Sequence, residues 1–568
     1  MTMQFEKNTL AALTEHSTSL YKDRILVSNI KDIDITYGQA GEKIAQLHTV
    51  FEELGIKQGD KVAICSENMP HWGIVYLAIT SIGAVVVPIL PDFHRNEIHH
   101  IIKHSEAVAI FVSKKLSAKL NEDDFSSSLQ YLFSLETLTI LEDKTTKQSE
   151  LVSKGAEKIA QIKEKALQLA NIQADKQILT INEDDLASII YTSGTTGQSK
   201  GVMLSHKNLI TQIQQIRSLV DVQTEDKFLS ILPLAHTYEC SAGFLVPFAK
   251  GASIHYISKV PSPKIILSAM QKVRPTCMLC VPLVIEKIYK SKVQAEFNKN
   301  RVLKYLYENV AFVRKKLHKI AGRKLHESFG GQMWLLGIGG AKLSPFVETF
   351  LKEAEFPYAI GYGMTETAPI IAAAAPEATK VGTTGVFVPD IEYRLIKQSE
   401  ESRDGELHVR GPNIMLGYYK DAERTAEILE ADGWLNTGDL GYIDDNGVLT
   451  INGRSKNVII GASGENIYPE AVESVINQHP LVLDSLVYEI EQSVVAKIHI
   501  DYDQFDESHN ISKTSDSALH SDILSLLEEI RITVNSQLSN YSKISRVIEQ
   551  SVPFIKTPTK KIKRYLHT

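Results

Sequence analysis

Cysteine is scarce in this sequence, and it has neither a long apolar run nor a strong excess of one charge. Four cysteines in 568 residues are too few for a secreted disulfide framework, so a reducing compartment is expected. The most apolar stretch, residues 76–90, is shorter than the roughly 20 residues that span a bilayer, and Pro88 interrupts it. Residues 1–20 show no apolar segment behind a basic start, so no signal peptide is predicted. A cytoplasmic protein is therefore expected.

The overall charge also narrows the class of partner. The formal net charge is −7, and no lysine- and arginine-rich tract of domain size is present. Proteins whose main partner is nucleic acid usually carry a basic domain or stripe. The sequence therefore favours small-molecule partners over nucleic acid.

Short β-branched runs alternate with helical periodicity through most of the chain, as in KVAIC at 61–65 and AVAIFV at 107–112. This alternation is typical of α/β layers with a parallel sheet. Short strand patterns joined by glycine and Asn-Gly turns predict a small β-rich subdomain at about 383–455. We expect an α/β fold with a large N-terminal domain, residues 1–455, and a smaller α+β C-terminal domain, residues 456–568.

Residues 301–325 predict an amphipathic helix with a strongly basic surface. Apolar residues recur along one face at spacings of three and four, and these are Val302, Leu306, Val310, Val313, Leu317 and Ile320. Lysines and arginines occupy the other faces. A solvated basic face is the simpler interpretation, and peripheral contact with the inner face of a membrane is the alternative.

Residues 191–206, YTSGTTGQSKGVMLSH, follow an apolar strand pattern and predict a polyphosphate-binding loop. Glycine lets the backbone approach a ligand closely, and short hydroxyl side chains and an ammonium group can donate to phosphate oxygens. The spacing differs from the Walker A pattern of Gly, four residues and Gly-Lys-Ser/Thr. The candidate phosphate-binding residues are Thr192, Ser193, Gly194, Thr195, Thr196, Gly197 and Lys200.

The loop is accompanied by the motifs LPLAHTYE, GYGMTET, TGDLG and KTPTKKIKR. Together, from about residue 36 to residue 564, they resemble the acyl-adenylate-forming (AMP-binding) superfamily. LPLAHTYE, GYGMTET and the helical insertion before GQMWLLGIGGAKL are most similar to bacterial long-chain fatty acyl-CoA synthetases. The resemblance implies an AMP-forming ligase that activates a fatty acid with ATP and Mg²⁺ and transfers it to CoA.

The same resemblance assigns roles to residues on turns that follow apolar strands. In GYGMTET it implies that Tyr362 stacks on adenine, Thr365 reaches the α-phosphate and Glu366 holds Mg²⁺. It implies that Asp439 binds the ribose hydroxyls, assisted by Arg454. Small residues expected to line the adenine and acyl pockets are Gly339, Gly340, Ala341, Gly361 and Gly363.

The C-terminal motif is expected to supply the catalytic lysine, Lys561. It matches the usual Lys-Thr-x-x-Gly-Lys-Ile pattern except that Lys560 replaces the glycine. The resemblance implies that the C-terminal domain is mobile and rotates about a hinge at Lys456. Rotation would withdraw Lys561 and bring Gly464 and Glu465 toward a CoA tunnel.

Two further assignments follow from the resemblance. His236, in LPLAHTYE, is expected where the acyl pocket meets the pantetheine tunnel. Thr192 is expected to join Glu366 at the metal.

Alternatives remain at this stage. Cys277 and Cys280 form a CxxC within an apolar strand pattern, for which buried inert thiols are expected and a redox or metal pair is the alternative. The other candidate functions are an acyl-carrier-protein ligase, a ligase for aryl or medium-chain acids, and a non-catalytic nucleotide-binding protein. Neither the acyl chain length nor the oligomeric state follows from the sequence.

Overall fold

The computed structural model describes residues 8–30, 33–120, 126–139, 141, 180–193, 199–257, 261–298, 307, 309–461, 465–509, 516–557 and 561–568. The strands are β1 Ile25–Asn29, β2 Ile33–Thr36, β3 Lys61–Cys65, β4 Val85–Ile89, β5 Ala109–Val112, β6 Tyr131–Ser134, β7 Leu186–Ser193, β8 Ser199–Ser205, β9 Lys227–Ser230, β10 Ser253–Tyr256, β11 Cys277–Cys280, β12 Leu335–Ile338, β13 Tyr358–Gly363, β14 Ile370–Ala374, β15 Gly385–Phe387, β16 Glu392–Ile396, β17 Gly405–Arg410, β18 Gly417–Tyr418, β19 Leu435–Ile443, β20 Val448–Arg454, β21 Ile459–Ile460, β22 Asn466–Ile467, β23 Val482–Ile490, β24 Ser493–Ile500 and β25 Arg546–Glu549. The α-helices are α1 Leu10–Leu20, α2 Tyr37–Leu54, α3 Pro70–Ser81, α4 Arg95–Ser105, α5 Lys114–Ser117, α6 His206–Leu219, α7 Val246–Lys250, α8 Pro263–Val273, α9 Pro282–Tyr289, α10 Ala295–Asn298, α11 Ala311–Ser328, α12 Pro345–Glu353, α13 Ala422–Ile428, α14 Pro469–Ile476, α15 Tyr502–His509 and α16 Asp516–Asn535.

A seven-stranded sheet carries the predicted phosphate loop, with the order β18-β8-β7-β4-β3-β5-β6. Strands β3, β4 and β5 pair in parallel and are almost wholly buried, which explains their continuous apolar sequences. Strands β7 and β8 instead form an antiparallel hairpin. The predicted phosphate loop therefore connects two antiparallel strands.

A second sheet has 13 strands in the order β16-β17-β19-β20-β15-β14-β13-β12-β11-β9-β10-β1-β2. Neighbours from β13 through β12, β11, β9 and β10 to β1 pair in parallel. From β13 toward β16 the pairing is antiparallel. The β-rich residues 385–454 thus extend the large sheet.

Residues after 456 form a smaller unit, called the C-terminal unit below. A three-stranded sheet, β23-β24-β25, packs with α14 and α16 around its own apolar core. The unit contacts the larger part of the chain: Lys290 Nζ, for example, donates to the Asn477 carbonyl at 2.7 Å. The predicted fold class, a large α/β unit with a smaller C-terminal α+β unit, is confirmed. The mobility of that unit and the boundary at 455/456 stay predictions.

Helix α11 covers part of the predicted basic helix, and residues 301–306 and 308 lie outside the described residues. Its buried positions are His318, Gly322 and Leu325, whereas Ile320 is 53% exposed. The predicted apolar face was therefore wrong at Ile320, and also at Val310, which is 38% exposed. Gly322 faces inward, where a Cβ would lie 2.6 Å from the Ala354 Cβ. The absence of a side chain therefore allows α11 to pack closely at this point.

Two other expectations can be compared with the structure. Cys277 and Cys280 are fully buried free thiols on β11, as the sequence predicts. No helix within the described residues is both long and apolar enough to cross a bilayer.

Candidate nucleotide and acyl site

The β7–β8 hairpin positions the ends of the predicted phosphate loop. Thr192 pairs with Lys200, and Ser193 pairs with Ser199. Residues 194–198 lie outside the described residues, so the predictions for Gly194, Thr195, Thr196 and Gly197 fall there. Burial lowers the pKa of the Lys200 ammonium, and the charge of Glu366 opposes that shift. Lys200 can therefore act on the same ligand as the residues around Glu366.

The GYGMTET segment forms the end of β13 and a tight 3₁₀ turn, Thr365–Thr367. A Cβ at Gly363 would lie 1.8 Å from the carbonyl oxygen of Pro369, so only glycine fits this turn. Thr365 is partly buried and Glu366 is 8% exposed. The Tyr418 hydroxyl donates to Glu366 Oε1 at 2.8 Å.

The Glu366 carboxylate offers oxygen ligands of the kind that Mg²⁺ binds. The described residues contain no group of three or more His, Cys, Asp or Glu side chains that could hold a metal ion. Mg²⁺ commonly binds one or two carboxylates together with substrate phosphates and water, rather than an all-protein cage. A single buried carboxylate near Lys200, which follows the predicted phosphate loop, fits that pattern.

Tyr362, Asp439 and Arg454 form one connected group. The Tyr362 hydroxyl donates to Asp439 Oδ2 at 2.6 Å, and Arg454 Nε lies 2.8 Å from Asp439 Oδ1. Strand pairing of β19 with β20 sets Asp439 opposite Arg454. Burial raises the pKa of the Asp439 carboxyl, and the Arg454 guanidinium opposes this. The carboxylate is therefore held by two donors at a fixed position.

The GGA segment follows β12 and lies beside β13. A Cβ at Gly339 would lie 3.3 Å from the Gly361 carbonyl oxygen, and Gly340 has φ of +84°. Gly339 is buried, whereas Gly340 and Ala341 are exposed. Gly339 and Gly361 thus lie side by side at the ends of two parallel strands, next to Tyr362.

The C-terminal unit carries Lys561, whose charge interacts with those of Arg454, Asp439 and Glu366. Thr557 Oγ1 accepts from the Lys561 amide at 3.1 Å and the Thr557 amide donates to the Lys561 carbonyl at 2.7 Å, closing a short loop. Desolvation and the Arg454 charge lower the pKa of the Lys561 ammonium, whereas the charges of Asp439 and Glu366 oppose the shift. Lys561 is an exposed residue, so solvent screens these charges. Lys560 lies outside the described residues.

His236 belongs to the same neighbourhood. Its Nδ1 accepts from the Tyr238 amide at 3.2 Å. Desolvation lowers the pKa of His236 to about 4, and the positive charge of Lys561 acts in the same direction. His236 is thus neutral at neutral pH in this arrangement.

The remaining predicted residues lie on the connection and on the C-terminal unit. Lys456 is exposed on a 3₁₀ turn, Ser455–Asn457, and its charge reaches Lys200. Gly464 lies outside the described residues. Glu465 sits on the β21–β22 hairpin, where its carbonyl accepts from the Gly461 amide. The contacts described for Glu465 do not join it to the other predicted site residues.

An apolar cavity adjoins the connected residues Tyr362, Asp439 and Arg454, which we call the nucleotide group. Its wall includes Ile216 and Leu219 from α6, Leu279 from β11, and Gly361 from β13. Among the described residues of the wall, Tyr238 alone has a polar side-chain atom and none is charged. Because Gly361 precedes Tyr362, the cavity meets the nucleotide group at β13.

Sequence reasoning missed Tyr418 and Glu239. Tyr418 contacts both Glu366 and Lys200, and its signal was the GYYK sequence on a short strand. Glu239 ends LPLAHTYE, is 1% exposed and accepts a 2.5 Å hydrogen bond from Ser230 Oγ. Neither contact follows from linear order, because each joins separate elements of the fold.

The chain matches the family described as AMP-binding enzyme over residues 14–419. It is 28% identical to the long-chain-fatty-acid–CoA ligase FadD15 of Mycobacterium bovis, with 94% of this chain and 90% of that protein covered. It is also 28% identical to the long-chain-fatty-acid–[acyl-carrier-protein] ligase AEE15 of Arabidopsis thaliana, a chloroplastic protein, with 80% and 71% covered.

A solved structure supports the same fold. The o-succinylbenzoate CoA synthetase MenE of Bacillus subtilis, in complex with the acyl-adenylate intermediate OSB-AMP, superposes with a TM-score of 0.73 at 20% identity and covers 100% of this chain and 99% of its own. The family match spans well over half of the 568 residues. This chain belongs to the AMP-binding enzyme family.

Proposed function

We propose that this protein is an AMP-forming fatty acid:CoA ligase that activates a long-chain fatty acid through an acyl-adenylate. The observation that carries the proposal is the apolar cavity whose wall reaches Gly361, the residue before Tyr362 of the nucleotide group. An acid with a second polar group would bury that group in the cavity, where it would need a hydrogen-bond donor or a charge in the wall. A buried polar group without a partner raises the free energy of the complex. The uncharged wall therefore favours an aliphatic chain, and because the cavity measures only about 60 Å³ in this structure, a long chain has to widen it on binding. Similarity to FadD15 supports the same substrate class.

The first half-reaction is a substitution at the α-phosphorus of ATP. A carboxylate oxygen of the fatty acid attacks this phosphorus, the bond to the bridging oxygen of the β-phosphate breaks, and pyrophosphate leaves. The main obstacle is repulsion between an anion and a polyanion, so cations and hydrogen-bond donors supply most of the catalysis. We assign these roles to Lys561, Lys200 and Thr365, while Tyr362, Asp439 and Arg454 hold the nucleoside.

Mg²⁺ would be held by Glu366 and the Thr192 hydroxyl, and when bound it neutralises phosphate charge. The chain's own contribution is to fix the Glu366 carboxylate. Burial in the 3₁₀ turn and the hydrogen bond from Tyr418 both limit its movement.

In the second half-reaction the CoA thiol sulfur attacks the acyl carbon. A C–S bond forms, the acyl–phosphate C–O bond breaks, AMP leaves, and the thiol proton passes to solvent. The charges of Arg454, Asp439 and Glu366 act on Lys561 in the present arrangement. We propose that rotation about Lys456 withdraws this lysine and admits CoA, with Gly464 and Glu465 approaching the tunnel near His236. The exposed 3₁₀ turn at Lys456, between β20 and β21, is a suitable hinge.

The decisive experiment is a panel of carboxylic acids from acetate to long-chain and aryl acids, scored by pyrophosphate release with and without CoA. Long-chain acids should give the highest kcat/KM, and AMP release should require CoA. Preference for an aryl or short acid would refute the assigned substrate. Loading of acyl carrier protein in place of CoA would instead support the acyl-carrier-protein ligase, the function named for AEE15. Absence of acid-dependent pyrophosphate exchange would leave a non-catalytic nucleotide-binding protein.

We also propose that the protein is cytoplasmic and contacts the anionic inner face of a membrane through α11. The exposed face of this helix combines Phe312, 67% exposed, and Ile320 with a cluster of cations. These exposed cations are Lys315, Lys316, Lys319, Arg323 and Lys324. Basic side chains beside exposed apolar ones are suited to an anionic lipid surface, from which a fatty acid substrate would be drawn.

Sedimentation with vesicles tests this surface. The protein should bind phosphatidylglycerol vesicles at least fivefold more strongly than phosphatidylcholine vesicles. The double variant Lys316→Glu/Arg323→Glu should lose that preference, whereas Lys397→Glu, at an exposed site on β16's following turn, should retain it. Equal binding of the double variant and the unmodified protein would favour a solvated face.

A further inference from the structure

Tyr418 lies between two parts of the nucleotide site that belong to different sheets. It ends β18, a two-residue strand that pairs with β8 at the edge of the seven-stranded sheet. The next residue extends this attachment, because the Tyr419 amide donates to the Gly201 carbonyl at 2.7 Å. Tyr418 is thus anchored to the strand that leaves the phosphate loop.

The side chain of Tyr418 reaches in two directions. Its hydroxyl donates to Glu366 Oε1 at 2.8 Å, and its ring centroid lies 4.7 Å from Lys200 Nζ. Lys200 Nζ is also 3.5 Å from the hydroxyl oxygen. The side chain is 4% exposed, so water competes little for these contacts. One aromatic residue therefore touches the carboxylate on the 13-stranded sheet and the ammonium on the seven-stranded sheet.

We propose that Tyr418 is a positioning residue that fixes the spacing between Glu366 and Lys200 across the two sheets. The hydroxyl orients one oxygen of Glu366, which directs the carboxylate toward the phosphates and their metal ion. The ring face holds the Lys200 ammonium by a cation–π contact. Because β18 is paired to β8, any movement of the loop strand is transmitted to Tyr418 and from there to Glu366. This inference rests on the proposed function, since it assumes that both residues act on one Mg-ATP.

Two substitutions separate the parts of Tyr418. Tyr418→Phe retains the ring and the packing but removes the hydroxyl, so it affects the Glu366 contact. Tyr418→Leu removes the ring as well and releases Lys200. Tyr419→Phe is the matched control, because Tyr419 lies on the same segment and its ring packs against His104 instead.

The experiment is calorimetric titration of the full-length protein with ATP at graded Mg²⁺ concentrations, and with AMP in EDTA. Tyr418→Phe should raise the Mg²⁺ concentration for half-maximal enhancement of ATP binding by about fivefold to tenfold, while AMP affinity changes less than twofold. Tyr418→Leu should in addition weaken metal-free ATP binding about fivefold. Tyr419→Phe should match the unmodified protein in both titrations.

A double-mutant comparison keeps the inference testable if Tyr418→Leu does not fold. In a Glu366→Gln background, adding Tyr418→Phe should change the Mg²⁺ dependence by less than twofold, because the group it orients is already altered. An unchanged Mg²⁺ dependence in Tyr418→Phe alone, or full additivity with Glu366→Gln, would overturn the positioning role. Failure of the unmodified protein to bind ATP at all would refute the proposed function instead, so the two failures are distinguishable.

Discussion

The Tyr362 hydroxyl donates a 2.6 Å hydrogen bond to Asp439 Oδ2. The residue expected to stack on adenine therefore also orients the carboxylate expected to bind ribose. The two come from strands far apart in sequence, β13 and β19, and Arg454 holds the other carboxylate oxygen at 2.8 Å. We therefore expect recognition of the base and of the sugar to be coupled through this hydrogen bond.

This link predicts the effect of Tyr362→Phe. The variant keeps the ring but loses the hydrogen bond to a charged acceptor, which is worth about 1.5 kcal/mol or more. The KM for ATP should rise about tenfold, with kcat and the KM for the fatty acid changing less than threefold. Steady-state kinetics with each substrate varied in turn checks this. A rise in fatty acid KM as large as that in ATP KM would indicate general damage to the cleft.

Lys561→Ala should separate the two half-reactions. The charges of Arg454, Asp439 and Glu366 act on its ammonium, and a cation among these groups is suited to the charge that develops during pyrophosphate release. Adenylate formation, followed by fatty acid-dependent pyrophosphate exchange, should fall at least 100-fold. Thioester formation from synthetic acyl-AMP should fall less than fivefold.

The neighbouring lysine supplies the control for that experiment. Lys560→Ala should retain adenylation within about threefold if Lys561 is the catalytic lysine. The reverse pattern, with Lys560→Ala inactive and Lys561→Ala active, would place the catalytic role one residue earlier. Equal loss of both half-reactions in Lys561→Ala would contradict its withdrawal during the second step.

A contact between the two units should favour the adenylating arrangement. The Tyr468 hydroxyl, on the C-terminal unit, donates to Asp404 Oδ2, which also accepts from Asn452 Nδ2. Tyr468→Phe removes this contact and should shift the population toward other arrangements. The ratio of the thioester rate to the adenylation rate should rise about threefold to tenfold, measured with synthetic acyl-AMP and by pyrophosphate exchange. Tyr541→Phe, on the exposed surface of the same unit, should leave the ratio unchanged.

Local patterns in the sequence predicted the elements well where one physical cause dominates. The apolar runs at β3, β4 and β5 are buried on both faces, so continuous hydrophobicity was the expected signal. The turn at Gly363 requires glycine because of the Pro369 carbonyl, and the motif around it marked the site. In these places a short stretch of sequence is enough to predict the local structure.

Relationships across elements could not be predicted in the same way. The inward face of α11 is set by residues at the end of α12. Ala354 packs against Gly322, and Glu353 Oε2 lies 2.8 Å from His318 Nδ1. Spacing alone therefore misplaced Ile320. The contact between Tyr418 and Glu366 similarly depends on the pairing of β18 with β8. Such contacts depend on which sheets meet, and no local periodicity encodes that.

The buried Glu239 predicts a particular pH dependence of stability. It is 1% exposed, accepts from Ser230 Oγ, and within the described residues its Oε2 has no hydrogen-bond partner. Desolvation raises the pKa of Glu239 to about 8. A folded-state pKa above the unfolded value means that the folded protein binds the extra proton. Protonation of Glu239 therefore stabilises the folded state fully below about pH 4.5, and this stabilisation is lost as the pH rises through about 8.

Glu239→Gln should remove this loss, because the amide stays neutral at every pH. The free energy of unfolding of the variant, relative to that of the unmodified protein, should increase steadily from pH 5 to pH 8.5. Urea denaturation at half-unit intervals measures the difference. Histidines with lowered pKa values, such as His206 and His255, destabilise the fold on acidification, but they are common to both proteins and cancel in the difference. The exposed control Glu225→Gln should show a constant difference over this range, and parallel curves for Glu239→Gln would mean that its carboxyl is ionised in the folded protein.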